Sequence, residues 1–547
     1  MCKGMLTLRK IRDYVLNPWK AGVFLIALLV AAPLLIIAFH VFLPGDQAWE
    51  HIAGKLLPGY TLNTILLMAG VAFFSLIIGL SNAWIVSAFR FPGRKTLSWL
   101  LVFPFAIPAY ITGFTWAGIL DFTSPVYQFF RHNFHIDTGQ SLFFDIHSLG
   151  GAIFIFTLAY YPYVYLLSLA WFSKQSPVYQ EIALSLGKSR WQTFFLVALP
   201  MARPAIIAGI SLVMMEVLND YGLVHYFGVN TFTTGIFTAW YAFGSPSAAL
   251  KLSAVLMLFV VLLLFSERWQ RRKMRFSSTA STSRPILRQK LRPTYAVLLI
   301  LWMLLPFATG FLFPVLMQGH WLVQNWDSFL HRNFTDLVLN SAMLGLLASV
   351  SVVVLSLILS FSMRTWPLPL NKNLSRLATL GYAIPGAVVS VGILSLLLWS
   401  GDILGQGAAN LVRFLLTATW LALIYAYAVR FMAVGFNSIE SGLEKIPISM
   451  DESARSLGAS NIKTLRNIHL PLLRPAVWAG MLLVFMDVLK ELPLTLILRP
   501  FNFDTLAIRA FEFASDERIA EAAPASLVLT ALGLLPVILI HKMSKLN

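Results

Sequence analysis

Residues 181–209 (EIALSLGKSRWQTFFLVALPMARPAIIAG) and 452–480 (ESARSLGASNIKTLRNIHLPLLRPAVWAG) are identical at 14 of 29 positions without a gap. Each stretch begins polar, passes a Leu-Pro pair and ends apolar, so a duplicated unit runs from a polar loop into a long apolar helix. The same spacing of 271 residues pairs Glu216 with Asp487, Asp220 with Glu491, Thr234 with Thr505 and Trp240 with Phe511. Upstream the spacing becomes 277, matching Asn63 with Asn340 and Ala106-Ile107-Pro108 with Ala383-Ile384-Pro385. Loop lengths therefore differ between the copies.

The polar part has a readable shape. Ser176-Pro177 offers an N-cap and a first-turn proline, and Gly187 can end a short helix in the left-handed conformation. Ser189 with Gln192 three residues on forms a capping box for the next helix. In the second copy Ser449 and Glu452 make the same box, Gly458 ends the helix and Ser460 caps the next. Each loop is thus expected to be helix, glycine turn, helix.

Outward from these loops the chain is greasy. Of 547 residues, 58% are apolar and 12% charged, against about 45–50% and about 25% in soluble proteins. Such a chain is an all-α integral membrane protein, since its apolar surface needs lipid rather than water. At about 20 apolar residues per span, runs near 22–43, 61–89, 98–120, 148–173, 204–228 and 247–266 form one set. Runs near 294–317, 337–363, 377–400, 413–436, 475–498 and 522–541 form another. That makes about twelve spans in two parallel six-helix repeats: a first half 1–266 with its loop at 176–203, a basic linker 267–293, and a second half 294–547 with its loop at 445–474.

The net charge of +17 could suggest a nucleic-acid partner. Position decides otherwise. With the N-terminus inside, 31 Lys and Arg fall in the cytoplasmic segments and 5 in the outer loops. That is the positive-inside bias, with both termini cytoplasmic, and no nucleic acid is needed to explain the charge. The first run reads as a retained span rather than a signal peptide, being long and needed for the charge alternation. A single cysteine, Cys2, excludes an intrachain disulfide.

Glu-x-Ala, three residues, Gly, nine residues, an aliphatic, one residue and Leu-Pro resembles the EAA loop of ABC importer permeases. Here it reads Glu181, Ala183, Gly187, Val197, Leu199-Pro200, then Glu452, Ala454, Gly458, Ile468, Leu470-Pro471. Both copies depart from the pattern at its middle residue, Ile182 and Ser453. The resemblance implies the type I ABC importer permease fold in a bacterial inner membrane. It implies that the first helix of each loop, 177–186 and 450–457, couples to a cytoplasmic ABC ATPase, with two loops implying two copies. A periplasmic substrate-binding protein is implied as well. The chain itself is no enzyme and binds no cofactor in this reading: ATP belongs on the partner. Gly187-Lys188-Ser189 copies the end of a P-loop, yet Ile182 stands where its first glycine is required.

The few intramembrane charges cluster. With the fifth span of each half starting near Pro204 and Pro475, Glu216 and Asp487 fall about 18 Å in, past mid-membrane. Asp220 and Glu491 follow one turn later on the same face, and Lys490 sits beside Glu491. Ionisable groups at that depth face a pathway or one another. They read either as an acidic lining for a cation or as helix glue, with Lys490 pairing to Asp487 or Glu491. The stretch Asp487–Thr495 with Leu498-Arg499-Pro500-Phe501, and Phe227-Gly228-Val229 with Thr231–Ile236, resemble the fused permease subunit of bacterial ferric-iron (Fbp-type) importers. Ferric iron is a hard cation suited to carboxylate oxygens; polyamine, thiamine and phosphonate importers are the alternatives. A gradient-driven transporter using Asp487 and Glu491 as a proton relay explains the acids but not the paired loops.

Three further groups stand out. Outer loop 500–521 carries Asp504, Glu512, Asp516, Glu517 and Glu521 and reads as a binding-protein seat or a solvated loop. His132, His135 and Asp137 make a weak metal candidate, so no metal site is assigned. Tyr160, Tyr161, Tyr163 and Tyr165 read as aromatic packing before phenolate ligands.

Overall fold

The architecture is that of a computed structural model, which describes residues 18–121, 124–134, 145–174, 182–183, 185–272, 288–326, 332–404, 407, 410, 414 and 420–546. Glu181, His135, Asp137, Ser176 and Pro177 lie outside those residues.

Among the described residues, ten helices are long and apolar enough to cross a membrane, or twelve if each of two bent pairs is one span. The pairs are Arg94–Ala106 with Ala109–Leu120, bent by 93°, and Pro369–Ala383 with Gly386–Trp399, bent by 115°. They occupy the third apolar run of each half, and each breaks at the repeated Ala-Ile-Pro. A residue before proline is driven out of the helical region. Ile107 (φ −95°, ψ 127°) and Ile384 (φ −93°, ψ 130°) are accordingly extended.

The fifth runs also differ from expectation. They are helices from Leu199–Asn219 and Leu470–Lys490, each entered through a one-turn π-helix, Phe194–Ala198 and Leu465–His469. Pro200 and Pro471 have no N–H to continue the ordinary ladder, and the turn widens just before them. Neither helix reaches residue 228 or 498. Asp220 (φ −71°, ψ 137°) and Glu491 (φ −72°, ψ 118°) leave the helical region, and short helices Gly222–Tyr226 and Pro493–Leu498 come next. Glu216 and Asp487 therefore lie in the last turns of their helices, and Asp220 and Glu491 sit at the breaks rather than on a continuing helical face.

The chain divides into two compact units, and these are not the two sequence halves. One comprises Met1–Glu50, Ile236–Ala254 and Arg332–Ile508; the other His51–Gly235, Val255–His331 and Arg509–Asn547. In the first unit, helix Pro18–His40 packs among second-half helices. Tyr425 donates to Leu29 O (2.6 Å), and a Cβ on Gly392 would lie 2.8 Å from Pro33 O. In the second unit, the first helices of the second half, over 293–324, pack among first-half helices, with Trp116 donating to Thr309 O (2.9 Å) and Gln318 to Thr115 (2.9 Å). The repeat records duplication, whereas compactness records which helices touch.

Each unit is built on three helices. In one these are Leu57–Ala88, Leu149–Lys174 and Leu199–Asn219. In the other they are Arg332–Thr365, Leu421–Leu443 and Leu470–Lys490. The glycine that closes the repeated stretch does the same work in both. A Cβ on Gly209 would stand 2.9 Å from Val164 Cα, and one on Gly480 would stand 3.2 Å from Ser438 Cβ. A side chain there would push the helices apart.

Candidate functional site

The second polar loop forms an arm. Helix Ile448–Ser456 ends at Gly458, whose φ of +74° is the left-handed turn expected of it. Ser460 then caps the next turn by accepting from Lys463 N–H (3.4 Å). The Ser449–Glu452 box does not form: Pro447 occupies the N-cap and no side chain caps this helix. Proline supplies the extended lead-in, so the helix starts before Ser449 can act. In the first loop Gly187 also has φ +74°, and Ser189 and Gln192 exchange both capping-box bonds (3.0 and 3.2 Å). Ala183 and Ala454 are buried, while Glu452 is exposed.

These polar loops also expose apolar side chains. Ile448 is 69% exposed and Leu457 87%, and in the first loop Ile182 is 51% and Leu186 73% exposed. Exposed hydrophobics grouped on a charged loop mark a contact surface.

Within each unit a polar node, half-buried in the first half and buried in the second, joins the break in the fifth run to its neighbours. In the first-half node, Tyr163 donates to Glu216 Oε1 (2.8 Å), and Asp220 Oδ1 accepts from Leu223 N–H (2.8 Å), capping the helix after the break. Tyr161 donates to Leu101 O (2.7 Å) and Tyr165 to Ser98 O (2.9 Å), fastening their helix to the bent pair. These tyrosines hold helices together, and Tyr163 reaches an acid.

In the second-half node, Arg430 Nε lies 3.3 Å from Glu491 Oε2. Glu491 Oε1 also accepts from Leu494 N–H (3.2 Å), and Arg430 Nη1 donates to Ile384 O at the bend (3.3 Å). Gly386 fits only because it has no side chain, since a Cβ would lie 2.4 Å from Glu491 Oε1. The sequence offers Lys490 as a partner for Asp487 or Glu491; the structure gives Glu491 Arg430. The available signal was that Arg430, deep inside apolar run 413–436, must find an acid. Asp487 and Lys490 are half-buried in the last turn of their helix.

Sequence reasoning also missed Asp451, beside Glu452. It is buried and bridges Arg364 and His469 at 2.7 Å each.

Loop 500–521 is largely self-paired. Arg509 and Arg518 flank the Phe513 ring at 4.4 and 4.9 Å and pair with Glu512 and Glu521. Arg499 pairs with Asp504, and Phe501 is 99% exposed. A cavity of about 980 Å³ in the second unit is lined by His147, His225, His320, Asp121 and Glu517, among others. Among the described residues no three such side chains converge closely enough to hold a metal ion. His132 is exposed on helix Pro125–Phe134.

Residues 75–276 and 353–544 both match the family described as "binding-protein-dependent transport system inner membrane component". The chain belongs to this family. The double match makes it a fused, two-repeat permease of the type I ABC importer fold, and a multi-pass inner-membrane protein. It is similar to the Fe(3+)-transport system permease protein FbpB 2 of Haemophilus influenzae, at 28% identity covering 88% of this chain and 89% of that one. The ferric transport system permease protein FbpB of Actinobacillus pleuropneumoniae is 22% identical, covering 86% and 70%. The sulfate transport system permease protein CysT of Escherichia coli is 30% identical but covers only 40% of the permease and 78% of its own length. Membership of a binding-protein-dependent family implies an ATPase and a substrate-binding protein as partners.

Proposed function

We propose that the permease imports ferric iron by alternating access. The two arms receive the stroke of two cytoplasmic ATPase subunits, which alone bind and split ATP. Both termini lie in the cytoplasm. Glu181 and Glu452 stand at the ATPase joints, and Gly187 and Gly458 make the turns that present them. The observation that carries the ATPase coupling is the twin arm: two glycine-turned loops of matching sequence, each exposing large apolar residues beside charges. A secondary transporter has no use for such a pair. A periplasmic binding protein would dock over the outer loop around Phe501.

Iron as the substrate is supported by relatives of the same fused format that align over nearly the full length, whereas the sulfate permease aligns over one repeat. The chemistry agrees. Glu216, Asp220, Asp487 and Glu491 put four carboxylates at the breaks, which suits a hard cation and would repel an oxyanion. Lys490 and Arg430 would hold the pathway closed by pairing with acids.

The test is metal-specific, ATP-dependent uptake in vesicles holding the permease, its ATPase and its binding protein. Fe³⁺ should be transported in preference to sulfate, a phosphonate or a polyamine. Gly187→Pro together with Gly458→Pro should abolish ATPase capture. Uptake that follows a proton gradient without ATP would overturn the reading.

A further inference from the structure

The two arms are duplicates in sequence, but the residues that fasten the second are not repeated in the first. Asp451 on the second arm uses both carboxylate oxygens: Oδ2 accepts from Arg364 Nε and Oδ1 from His469 Nε2, each at 2.7 Å. Its side chain is 8% exposed, that of Arg364 13% and that of His469 0%. Arg364 is in the last turn of helix Arg332–Thr365. Its two terminal nitrogens go on to Leu443 O (2.5 Å), Ile446 O (2.8 Å) and Pro447 O (3.2 Å). One planar guanidinium, with five donors in a fixed fork, thus closes the end of one membrane helix onto the end of another and onto the start of the arm. His469 brings in the π-helical turn that leads to the third helix, its ring edge-on to Phe361 at 5.5 Å. Beneath lies an apolar cluster of Val353, Ile439, Leu443, Ile446 and Leu473.

The first arm cannot repeat this. The spacing of 271 that aligns the loops places Gln180 opposite Asp451 and Ala198 opposite His469, and the spacing of 277 places Ser87 opposite Arg364. An amide, a methyl group and a hydroxyl replace a carboxylate, an imidazole and a guanidinium. Ser87 is buried and donates to Trp84 O (3.0 Å), and the nearby Arg94 donates to Val86 O (3.0 Å). The difference is therefore one of chemistry at matched positions within a matched frame.

We propose that Asp451 is the positioning residue of an asymmetric drive: it locks the second arm to all three helices of its unit, so the two arms transmit the partner's stroke unequally. The second arm acts as a stiff lever. The first, turned on Gly187 and carrying Gln180, Ala198 and Ser87 at the positions matched to Asp451, His469 and Arg364, yields more under the same push. A buried carboxylate held by two charged or polar partners resists displacement because any movement leaves buried charge unpaired.

The inference rests on the ATPase-coupling reading, and the experiment separates the two. Wild-type, Asp451→Asn, Arg364→Gln and Ser87→Ala complexes are reconstituted with ATPase and binding protein, and Fe³⁺ taken up per ATP split is measured with the amount of ATPase bound. Asp451→Asn and Arg364→Gln should each lower uptake per ATP at least fivefold while the ATPase still binds and hydrolyses. Ser87→Ala should stay within twofold of wild type. An unchanged ratio in Asp451→Asn, or an equal fall in Ser87→Ala, overturns the asymmetry. Amide exchange on the unmutated chain tests it without any variant: amides 462–469 should exchange at least tenfold more slowly than 191–198, and equal rates overturn it. A wild-type complex showing no ATP-driven uptake removes the coupling reading instead, and the exchange comparison then decides the stiffness difference.

Discussion

Arg430 Nε lies 3.3 Å from Glu491 Oε2, with only 6% and 5% of the two side chains exposed. The pair ties Leu421–Leu443 to the point where the fifth run of the second half breaks, and Arg430 reaches the bend at Ile384 as well. Charges buried this deeply are retained only in company.

Removing one member should therefore cost more than removing both. Arg430→Leu is expected to destabilise the purified permease by about 3–5 kcal/mol, because it strands Glu491. Arg430→Leu with Glu491→Gln should recover most of that loss. Thermal unfolding in detergent across the double-mutant cycle measures it, and additive losses would show that the two side chains do not depend on each other.

Tyr163 gives a sharper probe of the first-half acids, since it donates to Glu216 at 2.8 Å. A hydrogen bond to a charged group contributes about 1.5–3 kcal/mol, so Tyr163→Phe should leave a folded permease with Fe³⁺ uptake lowered roughly tenfold if Glu216 serves the cation. Glu216→Gln with Asp487→Asn should lower it further at unchanged assembly. Full uptake by that double variant would reduce these acids to packing.

The arm turns are backbone-limited. Gly187 and Gly458 both have φ +74°, a region that costs other residues about 1–2 kcal/mol. Gly458→Ala should loosen the arm and weaken ATPase binding by about tenfold, with the membrane helices unaffected. Titration of the ATPase onto detergent-solubilised permease, alongside its unfolding temperature, reads both.

Each compact unit includes helices from the other half of the sequence: Pro18–His40 in one, and those over 293–324 together with Ile519–Leu546 in the other. Segments 1–276 and 284–547, expressed separately, should each fail to accumulate in the membrane, because each unit would lack the helices it takes from the other half. Co-expression should restore both. A single half that is stable alone, by protease resistance and monodisperse elution, would refute this exchange of helices.

Much of this was legible because lipid imposes simple rules. Apolar run length gave the helices, Lys and Arg placement argued for the orientation, and the gapless match of two polar loops exposed the arms. Ser189 with Gln192, Ser460, and the two positive-φ glycines behave as their local chemistry dictates. The Ser449 box failed because Pro447 set the helix start first. The fifth runs misled because composition does not show where a ladder breaks; Asp220 and Glu491 look helical in sequence, yet in the fold they cap the short helices beyond the breaks.

The sequence by itself determined a duplicated, membrane-spanning permease with two matching polar arms, since hydropathy and repeat are properties of residues in order. Only the tertiary structure decided that Glu491 pairs with Arg430, that Asp451 gathers Arg364 and His469, and that each unit takes helices from the other half. Those relations join residues 18 to 396 positions apart. Partner choice among buried charges depends on which helix faces meet, and packing sets that in three dimensions.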